Sequence, residues 1–249
     1  MTRPLSPAPS RSPSSSPGVH LPIALGTGWT DLSPPPFPAD APQVWLVDAA
    51  EHHQAAASQA PDTLDVRELA RAAEFLHSAD RDTYVCAHVA LRRLLGAYLG
   101  LPPRAVSISR APCPGCQEPH GRPVVPGASL HFSLSHCGDL SLLAFAAAPV
   151  GVDVEAFPSP RTIVEAADVL HPLEAAELAT LPPAERPPAF TRVWTRKEAY
   201  LKGLGIGLSG SPHTAYVGTG PVSAALPGWT VTDVRVPGGY CAAVAVRDR

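Results

Sequence analysis

The chain has 249 residues, 45% of them apolar, and a net charge near −3, as suits a globular protein with one large core or two smaller ones. No basic stripe speaks for nucleic acid, no apolar stretch reaches the length of a membrane span, and the N-terminus lacks the charged-then-apolar order of a signal peptide, so a cytoplasmic protein is expected. Five cysteines are an odd number for a reducing compartment and argue against a disulfide framework.

Residues 1–40 are crowded with Pro and Ser and cannot repay their ordering entropy by burial, so a disordered tail is expected there. Gln43 to Asp48 reads as a first strand. Asp65 to Leu76 and Asp80 to Leu99 read as helices, the second with a stripe of Tyr84, His88, Leu91, Leu95 and Tyr98 at three- or four-residue spacing. Ser78 and Asp80 are candidate N-caps, and Gly100 followed by Leu101-Pro102-Pro103 stops that helix. Arg92 and Arg93 lie beside or opposite the stripe, where solvation is their expected role.

Cys113-Pro114-Gly115-Cys116 followed by His120 resembles half of a zinc site, but no second pair follows at the usual spacing. Cys137 or His131 could complete it only through folding, and a turn-rich surface loop is the competing reading. Leu130, Phe132 and Leu134 alternate with His131, Ser133 and Ser135 as in a half-buried strand. A tight turn at His136 to Asp139 leads to a partner strand, Leu140 to Ala146, and Val150 to Glu155 is a third strand. Short helices follow within Arg161–Leu170 and Pro172–Leu181, then a helix closed by Gly203 and Gly205. Strands are expected at His213–Val217, Trp229–Val236 and Tyr240–Val246. The fold class is α+β: two similar halves, residues 41–149 and 150–249, meeting near residue 150.

Only two lysines occur in the chain, Lys197 and Lys202. In a sequence that uses arginine almost everywhere, they suggest positions needing a compact ammonium rather than a planar fork. Trp194, Glu198 and Lys202 follow at i, i+4, i+8 on one helix face, and Lys197 is turned away from that line, as a rim contact or a structural partner. In Gly151-Val152-Asp153-Val154-Glu155 the two carboxylates share a strand face roughly 7 Å apart, and such a pair repels unless a cation sits between. Oxygen donors of this kind suit Mg²⁺ with substrate phosphate oxygens. A solvated strand face and an i,i+4 surface pair are the bland alternatives. Glu198 is a candidate third ligand or general base, and Lys202 a phosphate contact. The hydroxyl, imidazole and glycine of Phe132 to Asp139 can donate to a phosphate or serve simple turn chemistry; a Ser-His nucleophile lacks its elbow.

Together these segments resemble the 4′-phosphopantetheinyl transferases of the pseudo-dimeric, surfactin-synthetase-activating type. That family shows a G-[IV]-D-[IV]-E strand and, about forty residues on, W-x-x-K-E-[AS]-x-x-K, matched here by Gly151–Glu155 and Trp194–Lys202. Gly121-Arg122-Pro123 and Phe132–His136 resemble two further elements, with Ser133 where Asn is more usual. The resemblance runs from about Asp65 to Gly207. It implies transfer of phosphopantetheine from coenzyme A to a serine of an apo acyl or peptidyl carrier protein, releasing adenosine 3′,5′-bisphosphate. It further implies Mg²⁺ held by Asp153, Glu155 and Glu198, with Glu198 taking the serine proton and Lys202 binding phosphate. By resemblance, Ser135, His136, Arg122 and Arg71 (or its neighbours Arg67 or Arg81) would contact the nucleotide. The implied fold is two halves related by a pseudo-two-fold in a monomer, with coenzyme A in the cleft between them. A non-catalytic coenzyme A-binding or carrier-docking protein and a metal-dependent phosphohydrolase are the competing functions.

Overall fold

The computed structural model describes residues 19–25, 29, 32, 34–37, 41–166, 169–206 and 212–249. Part of the expected tail packs on the fold: β1 (Ile23–Ala24) pairs in parallel with β2 (Gln43–Asp48). Leu25 and Trp29 are buried in the first core. These few apolar side chains find a core edge that the surrounding Pro and Ser conceal in composition.

Asp48 ends β2 and caps α1 (Ala49–Thr63), its carboxylate accepting from the Ala50 amide. This helix has no counterpart among the expected elements. Its inner face is Ala49, His52, Ala56 and Ala60, good helix formers but too small for an apolar stripe. Next, α2 (Val66–Ala73) opens with a complete capping box, Asp65 and Glu68 satisfying each other's backbone amides. It stops short of Leu76, which points to solvent. The long α3 (Ser78–Leu99) starts after His77, which makes no side-chain cap bond, in place of the expected caps. It ends at Gly100 with φ +66°, as a left-handed C-cap requires.

Arg92 corrects the solvated expectation. Its side chain is 1% exposed and lies against Asp65 at 2.6 Å and against Glu68. It also donates to the carbonyls of Pro103 and Val106.

After a two-residue ladder of β3 (Ser109–Arg110) with β4 (Pro123–Val124), β5 (His131–Cys137) and β6 (Leu140–Ala146) form a hairpin closed by Gly138-Asp139. The first sheet has the order β1-β2-β6-β5. The second half begins with β7 (Val150–Ala156), continues through α4 (Pro160–Ala166), α5 (Pro172–Thr180) and α6 (Arg186–Leu204), and ends with β8 (Trp229–Asp233) and β9 (Tyr240–Arg247). Its sheet order is β7-β9-β8. Apart from β1 and the short β3–β4 ladder, each half thus runs strand, three helices, two strands, and pairs the first of these strands with the last.

The strand expected at His213–Val217 is a short 3₁₀ turn, Pro212–Thr214, followed by backbone outside any strand. Side chains take the place of a partner strand there. Glu174 accepts from the Val217 amide at 2.7 Å, and Arg196 donates to the Gly218 carbonyl at 2.8 Å.

A shared apolar cluster joins the sheets, with Val44, Leu142 and Ala144 on one side and Val150, Val152, Val154 and Val244 on the other. Beside it β5 runs along β7. The polar face of β5, expected to be half exposed, is therefore turned inward. Ser133 and Ser135 are buried, and Ser133 Oγ accepts from the Val152 amide at 3.1 Å.

Candidate active site

The site depends on how closely β7 approaches α6. A Cβ added at Gly151 would stand 2.0 Å from the Ala199 carbonyl oxygen and 2.4 Å from the Gly203 amide nitrogen. Gly203 in turn lies under the Trp229 ring, which a Cβ there would meet at 2.5 Å. Two glycines therefore let the strand bearing Asp153 and Glu155 rest on the helix bearing Glu198 and Lys202.

Asp153 is 2% exposed. One oxygen, Oδ1, accepts from Lys202 Nζ at 2.6 Å and from Ser135 Oγ at 2.8 Å. Lys202 also donates to Ser135 Oγ at 2.9 Å, so strand β5, strand β7 and helix α6 meet at one charged knot. The other oxygen, Oδ2, is buried with no hydrogen-bond partner. A buried carboxylate oxygen left unpaired costs free energy, so this atom is a ready ligand for a cation.

Glu155 and Glu198 are half-buried on either side. Burial and then the Asp153 charge push the Glu155 carboxyl above its ordinary range, and Glu198 adds to the repulsion. Glu198 is raised for the same two reasons, with Lys202 opposing. The Asp153 charge thus raises the proton affinity of both glutamates, a repulsion that a divalent cation at the site would relieve. Among the described residues their oxygens do not close into one cluster within 4.8 Å, and Lys202 and Ser135 hold Asp153 Oδ1.

From this knot a groove of about 400 Å³ extends past Lys202, Ser133, His88 and Glu68 to Arg110 and Arg122. Arg122 reaches across to the C-terminal end of α6, donating to the Gly203 carbonyl at 3.1 Å. Its Nε is buried without a partner, a donor suited to an anionic ligand. Burial, and then Arg247, lower its proton affinity. His136 stands at the rim and is open to solvent, yet crowding by the protein and the nearby His88 and Lys202 lower its pKa.

Arg71 sits elsewhere, 61% exposed, paired with Glu74 at 2.9 Å and lying over the Phe75 ring. Arg81 is likewise exposed beside Asp82, and Arg67 is exposed. The geometry thus gathers Ser135, Asp153, Glu155, Glu198 and Lys202, adds Arg122 along the groove and His136 at its rim, and leaves Arg71 apart. Arg110 and His88 line the same groove without having been singled out; no spacing in the sequence links them to the motifs, and only folding brings them there.

The match to known proteins bears on the same residues. The model of the 4′-phosphopantetheinyl transferase superfamily matches residues 149–245, a span holding Asp153, Glu155, Glu198 and Lys202. Among the curated relatives, the 4′-phosphopantetheinyl transferase HetI of Nostoc sp. strain PCC 7120 is 32% identical over 221 residues, covering 84% of this chain and 85% of that protein.

The chain belongs to the 4′-phosphopantetheinyl transferase superfamily.

A 4′-phosphopantetheinyl transferase of Bacillus subtilis is 30% identical over 54% of this chain and 57% of its own length. The transferase AcpT of Salmonella typhimurium is 37% identical over 40% and 55%. Like these relatives, this superfamily member is an enzyme of phosphopantetheinyl transfer. No helix among the described residues is long and apolar enough to cross a membrane.

Lys197 has a different fate from Lys202. It is 1% exposed, lies 2.8 Å from Glu174, which is wholly buried, and donates to the carbonyls of Pro212 and Ala215. Burial lowers its pKa and Glu174 opposes that. It is the structural partner of a buried pair and has no place on the groove.

Proposed function

We propose that this cleft transfers the 4′-phosphopantetheine group of coenzyme A to a serine hydroxyl of an apo acyl or peptidyl carrier protein, leaving adenosine 3′,5′-bisphosphate. The observation that carries the reading is the buried, unpartnered Asp153 Oδ2 between two carboxylates of raised pKa, with Lys202 beside it. That donor set fits Mg²⁺, which Asp153, Glu155 and Glu198 would hold and which would supply charge neutralisation on the pyrophosphate.

The chain's own residues supply the rest. Glu198, its proton affinity raised by burial and by Asp153, accepts the serine proton as the hydroxyl oxygen bonds to the β-phosphorus of coenzyme A. The bond from that phosphorus to the bridging oxygen breaks, and the electrons leave with the adenosine bisphosphate. Lys202 is the point charge on the phosphates, and it is already held at the site by Asp153. Arg122, with a free Nε, and His136 at the rim contact the nucleotide, with Ser135 orienting Lys202. Arg71, exposed and paired with Glu74, is the remaining candidate for the 3′-phosphate. The reaction is of the class in which positioning and electrostatics outweigh covalent chemistry.

The two halves, residues 41–149 and 150–249, with the same strand order and helix count, are read as pseudo-two-fold mates within a monomer of the surfactin-synthetase-activating type. Coenzyme A would lie in the cleft between them, in the cytoplasm where it is made.

The test is mass spectrometry of a purified apo carrier domain incubated with the full chain, coenzyme A and Mg²⁺. The carrier should gain one phosphopantetheine group, with one adenosine bisphosphate released per modified serine. Coenzyme A binding without any carrier gaining mass would leave a binding or docking protein instead. Phosphate release from coenzyme A with no acceptor present would indicate a phosphohydrolase.

A further inference from the structure

Away from the carboxylates, the β3–β4 connection gathers a second set of metal-binding atoms. The Cys113 Sγ, the Cys116 Sγ and a His120 ring nitrogen all lie within 4.8 Å of one another. Cys116 Sγ and His120 Nε2 are 2.9 Å apart. Cys113 is buried, whereas Cys116 and His120 are exposed.

The backbone is wound around Cys113. Its amide donates to the Glu118 carbonyl and its carbonyl accepts from the Gln117 amide, both at 2.8 Å. Gln117 takes a positive φ of 65°, uncommon for a residue with a side chain. A loop closed by these two backbone bonds, with one residue at positive φ, holds the Cys113 sulfur beside Cys116 and His120.

We propose that Cys113, Cys116 and His120 bind one Zn²⁺ ion. Two thiolates and an imidazole are the donors zinc takes, and Mg²⁺ does not take them. A tetrahedral zinc, with bonds of about 2.3 Å to sulfur and 2.0 Å to nitrogen, holds its ligand atoms roughly 3.5–3.8 Å apart. The observed spacing needs only small side-chain adjustments to reach that. Both thiols release their protons on binding, and His120 gives the lone pair of a neutral ring nitrogen. Among the described residues no fourth His, Cys, Asp or Glu joins the cluster, so the fourth position, on the exposed side, takes water. Neither Cys137 nor His131 completes it.

The ion has a task at this place. The β3–β4 ladder is only two residue pairs long, too short to hold a hairpin by itself. The loop between is closed by the Ala111 amide on the Arg122 carbonyl at 3.0 Å and the Gly121 amide on the Ala111 carbonyl at 2.9 Å. Gly121 is pressed so close that a Cβ would stand 2.6 Å from the Ala111 oxygen. Immediately after His120 the chain forms this wall of the groove and carries Arg122 into it. The zinc clips the loop and thereby fixes the position of Arg122. The metal site itself stands whether or not the groove binds coenzyme A.

The experiment uses the full chain purified under reducing conditions. Elemental analysis after exhaustive dialysis should find close to one zinc per chain. Cobalt added to metal-free protein should give the thiolate-to-cobalt charge-transfer band and the strong visible bands of a tetrahedral site. Cys116→Ser and His120→Ala should each bind cobalt at least tenfold more weakly, and Cys241→Ser, remote from the loop, should match the parent. The wild-type cobalt spectrum does not depend on whether any variant folds. No zinc together with no charge-transfer band in the parent would overturn the proposal. So would undiminished cobalt binding by Cys116→Ser, or a Cys113–Cys116 disulfide in reduced preparations, seen as two thiols resistant to alkylation.

Discussion

Replacing Gly151 by alanine tests why the site exists where it does. The added methyl would lie 2.0 Å from the Ala199 carbonyl oxygen, and reaching an ordinary contact of 3.4 Å requires β7 and α6 to separate by about 1.4 Å. The obstacle is helix backbone, so no side-chain rotation relieves it. Overpacking of this kind costs about 1–3 kcal/mol and sometimes more. The displacement also moves Glu198 and Lys202 away from Asp153 and Glu155, and a shift near 1 Å in a reacting constellation can lower the rate about 100-fold. Urea unfolding and single-turnover transfer to a carrier protein, measured side by side, read the two effects. Gly220→Ala, where the added Cβ meets nothing within 4 Å, is the control and should change neither. A Gly151→Ala protein within 0.5 kcal/mol of wild type and transferring at the wild-type rate would refute the close-approach argument.

Lys197→Met leaves Glu174 buried without its cation and should lose about 3–5 kcal/mol in urea unfolding, with Lys197→Arg failing to restore it, because the ammonium is enclosed by Glu174 and two carbonyls. Because the folded state raises the Glu155 pKa above 4.5, ionising that carboxyl costs the metal-free fold stability. The favourable contribution is complete below pH 4.5 and fades as pH rises through the raised value. Glu155→Gln should therefore match wild type in acid and exceed it in stability at neutral pH with chelator present, and Mg²⁺ should stabilise the wild type more than the variant; equal thermal midpoints at neutral pH would contradict this. Lys202→Arg should slow transfer at least tenfold, since the wider fork does not fit between Asp153 Oδ1 and Ser135 Oγ; full turnover in a steady-state assay would undo the reasoning from lysine scarcity.

The sequence was most legible where short-range patterns carry the physics. Strand β2 and the β5–β6 hairpin appear at their expected places because alternation and a glycine turn are local signals. So does α6, with its terminating Gly205. The shared strand face of Asp153 and Glu155 and the shared helix face of Glu198 and Lys202 were local periodicities, and folding joins them where Lys202 meets Asp153. Helix α1 stayed hidden because alanine leaves no stripe, and residues 213–217 form no strand because side chains, Glu174 at the Val217 amide and Lys197 at the Ala215 carbonyl, take the place of a neighbouring strand.

The role of Arg92 could not be read locally either. Its carboxylate partners lie 24 and 27 residues away, and only the capping box of α2 aims them. The same arrangement recurs in the second half, where Glu174 of the α5 capping box receives Lys197 of α6. The choice between the two lysines was open to spacing: Lys202 falls on the face with Glu198, and Lys197 does not. That Lys197 would be wholly buried had no signal beyond the rarity of lysine itself.

The most direct test of the catalytic reading is a mass-spectrometric time course of carrier modification by wild type and Glu198→Gln, with coenzyme A binding to each measured by calorimetry. Removing a general base lowers rates by about 10²–10⁴-fold. The variant should therefore bind coenzyme A within a few-fold of wild type and leave the carrier essentially unmodified while the wild type converts it. Carrier modification by Glu198→Gln at the wild-type rate would contradict the assignment of this cleft's chemistry.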